Sequence, residues 1–172
     1  MKQLRILIKQ FVPSEVCLKC QGCCRFKEQD SVWAPCLLDE EIQDLIDTDI
    51  SKVYLTLGKR ISPVASSSNK DTEAGFICPF LGLEDNKCKI YMKRPFECQL
   101  YPFLINLRGK KVILTVDLNC QYIKERLNTK EFKEYVGYLT AFFDSPAQIK
   151  LLKENPQILQ AYEEVSEVVE LF

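Results

Sequence analysis

Histidine is absent from the 172 residues. That absence removes zinc sites built on imidazole, facial-triad iron, histidine-held haem, and nucleophiles activated by a Ser-His or Cys-His pair. Any metal held here is bound mainly through sulfur. Long apolar runs are missing too: the N-terminal MKQLRILIKQF is interrupted by Arg5 and Lys9 and lacks a continuous signal-peptide core. Nothing later approaches the length of a bilayer span, so a cytoplasmic location and no membrane partner are expected. Neither sign of charge is in excess, because 23 Lys and Arg stand against 24 Asp and Glu, for a net charge of −1. Without a basic field, nucleic acid is not an expected partner. The run Arg108-Gly109-Lys110-Lys111 lies between apolar stretches and reads as a solvated hairpin turn. The glycines form no dinucleotide or phosphate loop.

What the chain does have is cysteine. Four of its nine cysteines fall within CLKCQGCC, residues 17 to 24. A reducing cytosol keeps thiols unpaired, and full pairing of an odd number would strand one, so metal ligation is favoured over a disulfide framework. In Cys17-x-x-Cys20-x-x-Cys23 the two-residue spacers let one short loop bring three sulfurs to a common centre. Bare thiolates held that close repel, and a cation or cluster draws them together. Gly22 suits a positive φ, a close approach to a ligand, or a plain turn. Neighbouring side chains diverge, so Cys23 and Cys24 are expected to serve different sites, or one of them is a spectator. Cys78 (followed by Pro79), Cys88, Cys98 and Cys120 fall on successive predicted elements and bring the candidate ligands to eight. Cys36 belongs to no spaced set and reads as a small buried hydrophobe.

The pattern around these cysteines predicts an α+β fold in one domain, residues 1–172. LLDEEIQDLID places Leu38, Ile42, Leu45 and Ile46 on one helical face with acidic residues at its start. Residues 61–75, ISPVASSSNKDTEAG, read as a mobile surface loop. GFICPFL and KCKIYMK read as short strands joined by Glu84-Asp85-Asn86, and FLINLRGKKVILTVDL as a hairpin turning at Gly109, with Val112, Leu114 and Val116 on one face. Together they predict a small antiparallel sheet. Three C-terminal helices are expected from Asn128-x-x-Glu131, Ser145-Pro146 and Asn155-Pro156. The last would carry Ile158, Tyr162, Val165, Val169 and Phe172 as a stripe packed on the sheet.

The series CLKCQGCC, ICPFL, CKIYMKRPFEC, LYPF and a final cysteine at 120 resembles the CxxCxxCC family, also called YkgJ-like, described as zinc- or iron-chelating and often as containing an Fe–S cluster. The resemblance spans residues 14–122, which it marks as a metal-binding core, and leaves 128–172 as a helical C-terminal extension. It implies Cys17, Cys20, Cys23, Cys24, Cys78, Cys88, Cys98 and Cys120 as metal ligands and leaves Cys36 outside. Arg94-Pro95 and Tyr101-Pro102 fit the family segment around Cys98, whereas Gln99 stands where a basic residue is common.

Three functions follow as expectations. The first is an iron–sulfur protein holding a 4Fe-4S cluster through the N-terminal loop and a distant cysteine such as Cys78, in a redox or accessory role for a partner enzyme. The second is a zinc module with one or two sites of four cysteines each, ranked lower because Cys78, Cys88, Cys98 and Cys120 contain no second CxxC. The third, resting on resemblance alone, is an enzyme akin to the flagellin lysine methylases, which carry a similar cysteine module. A radical S-adenosylmethionine site is not expected, since Cys17, Cys20 and Cys24 are spaced two then three rather than three then two.

Overall fold

Phe103–Arg108 (β4) and Lys111–Val116 (β5) form the hairpin the alternation predicts, in register from Phe103 opposite Val116 to Arg108 opposite Lys111. Gly109 turns it at φ 62°, a conformation that a side chain would strain. The structure is a computed structural model, and it describes residues 8–20, 22–46, 54–66 and 75–172. Against β5 lies Ser166–Glu170 (β6), antiparallel, giving the order β4-β5-β6 with a register shift between Leu114 and Thr115. Central β5 is buried on both faces, Val112, Leu114 and Val116 on one and Ile113 and Thr115 on the other. A doubly buried strand reads in sequence as a nearly continuous apolar run, and this one does.

A second sheet is built from two-residue strands: Arg25–Phe26 (β1), Val64–Ala65 (β2) and Phe76–Ile77 (β3), in the order β1-β3-β2. The expected strand in GFICPFL is therefore short, because Pro79 has no amide to continue the ladder. KCKIYMK is not a strand. Cys88 makes one isolated bridge to Leu81, and Tyr91–Lys93 then winds into a 3-10 turn. The intervening turn is as read, with Lys87 N–H donating to Asp85 Oδ1 at 3.0 Å and Asn86 at φ 56°. Of the expected loop over 61–75, Ile61 is buried and Val64–Ala65 is paired, while residues 67–74 lie outside the described residues.

The helices are Ser14–Lys19 (α1), Asp39–Ile46 (α2), Phe96–Leu100 (α3), Gln121–Lys124 (α4), Lys130–Phe143 (α5) and Pro146–Glu154 (α6). In α2, Leu45 is buried, with Leu38 buried just ahead of it, and Glu41 turns back to accept the Leu38 N–H at 2.9 Å. Thr129, one residue after Asn128, caps α5 by accepting the Phe132 N–H at 3.2 Å; Ser145 caps α6, and Pro146 opens it.

The third C-terminal helix does not form. Asn155-Pro156 starts only the 3-10 turn Pro156–Ile158, and the chain then leaves to become β6. Tyr162 is held elsewhere: its carbonyl accepts Asn106 Nδ2 at 2.9 Å and the Arg108 guanidinium, and its ring lies 5.1 Å from that of Trp33. Beyond it, β5 offers a free ladder edge to the β-branched pair Val168-Val169.

Two apolar clusters result. The larger gathers Phe103, Leu114, Ile123, Leu139, Phe143 and Leu152 between the main sheet and α4 to α6. The smaller gathers Phe26, Leu37, Leu45, Ile61, Ile77 and Phe80 around the second sheet. Arg60 ties the second to the first, donating to the carbonyls of Val32 and Ala34 and to Gln160 Oε1 at 3.0 Å. Among the described residues, no helix is long and apolar enough to cross a membrane.

Candidate metal centre

Four separate stretches of chain deliver the eight thiols. Cys17 lies in the last turn of α1 and Cys20 ends it. That helix is docked by Ser14 Oγ against Tyr91 OH at 2.7 Å and by Asn86 Nδ2 against the Leu18 carbonyl at 3.5 Å. A turn closed by Arg25 N–H on the Gly22 carbonyl, 3.0 Å, carries Cys23 and Cys24 into β1. Gly22 sits in this turn and is not at positive φ, and a Cβ on it would stand 3.6 Å from Cys20 Sγ, an ordinary contact, so the positive-φ reading does not apply. Cys78 extends the β1–β3 ladder by donating its N–H to the Cys24 carbonyl at 2.9 Å. Cys88 follows through its bridge to Leu81, Cys98 sits in α3, and Cys120 begins α4 with its N–H on the Asp117 carbonyl at 3.3 Å.

Cys23 is the common neighbour. As a residue it is exposed, yet its thiol hydrogen-bonds to that of Cys24 and lies close enough to Cys17, Cys78, Cys88, Cys98 and Cys120 for their charges to act on one another. The expected divergence of Cys23 and Cys24 is therefore not seen. Alternation is a property of strands, and these two residues occupy a turn.

The thiols of Cys17, Cys23, Cys78, Cys88, Cys98 and Cys120 are all raised above the usual cysteine range. Burial, and then the charges of Cys23, Cys120 and Cys20, push Cys17 up to about 11. Burial pushes Cys78 up to about 12, and raises Cys98 well above its usual range with help from Cys78, Cys23 and Cys88. Cys23 is raised first by its bond to Cys24, then by burial. Such a set is unfavourable as bare thiolates, and a metal cation reverses that balance by displacing the protons. Among the described residues, no three Cys, Asp or Glu side chains are already drawn onto one coordination point. The donor chemistry nonetheless fits a thiolate-held metal, since eight thiols, all unpaired and with no imidazole among them, share one neighbourhood fixed by backbone hydrogen bonds.

Two neighbours of the sulfurs, Asp117 and Glu97, were not read from the sequence. Asp117, only 4% exposed, accepts Tyr101 OH at 2.9 Å and Asn119 N–H at 2.9 Å, and its charge reaches Cys23. An acidic residue closing the apolar run of β5, three before Cys120, was its visible signal. Arg94 lies near both Cys17 and Cys88 and lowers each. Glu97 precedes Cys98 and accepts the Cys36 N–H at 2.6 Å. Gln99 is buried and taken up by backbone groups, accepting the Ile8 N–H at 3.4 Å and donating to the Arg94 carbonyl at 3.1 Å. Cys36 is 1% exposed within the larger core, with Gln160 Nε2 3.5 Å from its sulfur.

Glu97 yields a pH prediction. Burial raises it to about 8 from 4.5, with Glu41 adding to the rise while the Cys36 N–H and the Arg60 charge oppose it. The unfolded chain loses this proton near pH 4.5 and the folded chain keeps it to near 8, so the folded state binds more protons between them. Stability is expected to fall as pH rises through that window, by up to a few kcal/mol at about 1.4 kcal/mol per unit. Thermal unfolding of Glu97→Gln should show a flattened slope there; a slope equal to that of the parent protein would refute the assignment.

Comparison with known proteins now bears on the geometry. The model of the CxxCxxCC family, described as "Putative zinc- or iron-chelating domain", matches residues 16–135. The chain belongs to the CxxCxxCC family. Membership supports zinc or iron binding, and the match contains all eight clustered cysteines. It runs past residue 122 into α5, so the family unit includes part of the helix that packs on β4 and the Cys120 segment. An uncharacterized protein of Methanocaldococcus jannaschii is 44% identical over 46 residues, 27% of this chain and 25% of the relative. The chain thus matches about a quarter of that relative's length. No solved structure matches this CxxCxxCC chain.

Proposed function

We propose that this chain holds an iron–sulfur cluster, of the 4Fe-4S kind, through cysteine thiolates, and serves a partner enzyme as a redox or accessory protein. The observation that carries the proposal is the position of Cys23, whose thiol hydrogen-bonds to Cys24 and acts by its charge on Cys17 of its own stretch and on Cys78, Cys88, Cys98 and Cys120 from the three others. Four thiolates can hold either a zinc ion or a 4Fe-4S cluster; the ferredoxin-like spacing of Cys17, Cys20 and Cys23, with no second CxxC among Cys78, Cys88, Cys98 and Cys120, favours the cluster.

When bound, such a cluster supplies one-electron chemistry. The chain's own residues would set its surroundings. Cys17 and Cys20 stand at the solvent side, while Cys78 and Cys120 are buried. Phe80 and Phe96, both buried, shield the inner side from water. Arg94 offers positive charge to Cys17 and Cys88, and Asp117, held by Tyr101, places negative charge by Cys23.

Protein purified without oxygen and analysed for iron, acid-labile sulfide and zinc tests this reading. Iron and sulfide in near-equal amounts, with visible charge-transfer absorption, are expected. A colourless protein with stoichiometric zinc would replace the cluster with the zinc module.

A further inference from the structure

Residues 86–94, NKCKIYMKR, carry Lys87, Lys89, Lys93 and Arg94 and no carboxylate, in a chain of net charge −1. Two of these cations are engaged: Lys87 pairs with Asp85 at 3.5 Å, and Arg94 donates to Gln10 Oε1 at 3.0 Å while lying over the Tyr91 ring. Lys89 and Lys93 have no ion pair among the described residues. Between them Met92 is 83% exposed and Tyr91 39%. The contacts of Ser14 and the Leu18 carbonyl with this segment set α1 beside it, adding Leu18, itself 39% exposed. The same surface carries Cys88 and borders the exposed Cys17 and Cys20.

Single exposed apolar side chains are ordinary on a protein surface; a methionine and a tyrosine in one segment, with a leucine on the helix docked against it, are the makings of a contact. Met and Tyr are enriched in interface cores, and a charged rim around them steers and orients a partner. We propose that Lys89 and Lys93, which flank Tyr91 and Met92 in the segment against which α1 sets Leu18, form with these residues the docking face for a partner protein that presents carboxylates around an apolar recess, beside the exposed Cys17 and Cys20. A protein is the occupant because the centre of the face is apolar and the chain as a whole has no basic field for a polyanion. The inference rests on the partner role proposed above and names the surface that role uses.

The test is zero-length carbodiimide coupling, which joins a lysine to a carboxylate in contact, applied to the full chain in extract of its own source cells. One acidic protein joined through Lys89 or Lys93, and no longer joined there in Met92→Asp, which keeps both amines, is expected. With that protein purified, affinity for Met92→Asp should fall at least about tenfold, and affinity for the parent chain should fall with added salt. Coupling at Lys89 or Lys93 that survives Met92→Asp, that maps to a second copy of this chain or that is displaced by nucleic acid, or an affinity of Lys89→Glu/Lys93→Glu for the purified protein equal to the parent's, would overturn the proposal. Metal analysis of the same variants separates the two readings: metal-free parent protein defeats the cluster, while the coupling pattern alone decides the docking face.

Discussion

Cys23→Ser is expected to leave the chain without its metal, with metal content falling below about a tenth of the parent's, and to destabilise the fold more than loss of any other cysteine. The reason is topological. Cys17 and Cys20 come from α1, Cys78 and Cys88 from the second sheet and its following turn, Cys98 from α3 and Cys120 from the end of the main hairpin, and the Cys23 thiol lies close to Cys17, Cys78, Cys88, Cys98 and Cys120. Removing it should disconnect those elements as well as subtract one donor. Metal affinity in thiolate sites is folding free energy, on the order of 10 kcal/mol, so losing the metal should also lower the unfolding temperature sharply. Cys36→Ser is the control. Its sulfur is packed in the larger core near Gln160, so the variant should keep its metal while losing about 1–2 kcal/mol from a hydroxyl in an apolar place. Metal analysis and thermal unfolding of both variants decide the matter. A Cys23 variant with full metal, or a Cys36 variant without it, would show that the centre is assembled from other sulfurs.

Features set by neighbours in sequence were legible. The β4–β5 hairpin could be read because Gly109 and the alternation of Val112, Leu114 and Val116 are local facts, and the α6 cap because Ser145-Pro146 is one. Spacing and resemblance nominated the eight cysteines, but the meeting of Cys23 with Cys24 could not be read from them, since it depends on a turn rather than a strand. Illegible features were those set by distant partners. Ile158, Tyr162, Val165, Val169 and Phe172 keep helical spacing, yet β5 required a third strand and Trp33 and Asn106 took Tyr162. Cross-chain demand overrode local period. Glu97 and Asp117 went unread for the same reason: a carboxylate becomes notable only once folding buries it beside a thiol.

Phe103→Ala is expected to lower stability by about 4 kcal/mol without removing the metal. Phe103 is fully buried at the start of β4, where three rings from two other elements meet its own. Phe11, from the N-terminal arm, approaches edge-on at 5.9 Å; Phe132 of α5 stacks at 5.7 Å; Tyr135, one helical turn on, lies 5.1 Å away. The arm is fastened at the same place, with Tyr135 OH donating to the Lys9 carbonyl and the Ile8 N–H donating to Gln99 Oε1. Truncation would open a cavity too well enclosed to collapse, and it would remove aromatic contacts of about 0.5–1.5 kcal/mol each beyond the burial itself. For a chain of 172 residues that loss lowers the unfolding temperature by roughly 10 °C, while Phe103→Leu, which refills most of the space, should cost under about 1.5 kcal/mol. The arm leads directly into α1 and therefore into Cys17, so the variant should also expose residues 8 to 12 to hydrogen exchange before the hairpin opens. An Ala variant with the parent's urea midpoint would mean that the arm, α5 and the main sheet are joined by other contacts; one that loses metal well below its unfolding temperature would mean that this aromatic junction, rather than the backbone around Cys23, positions the sulfurs.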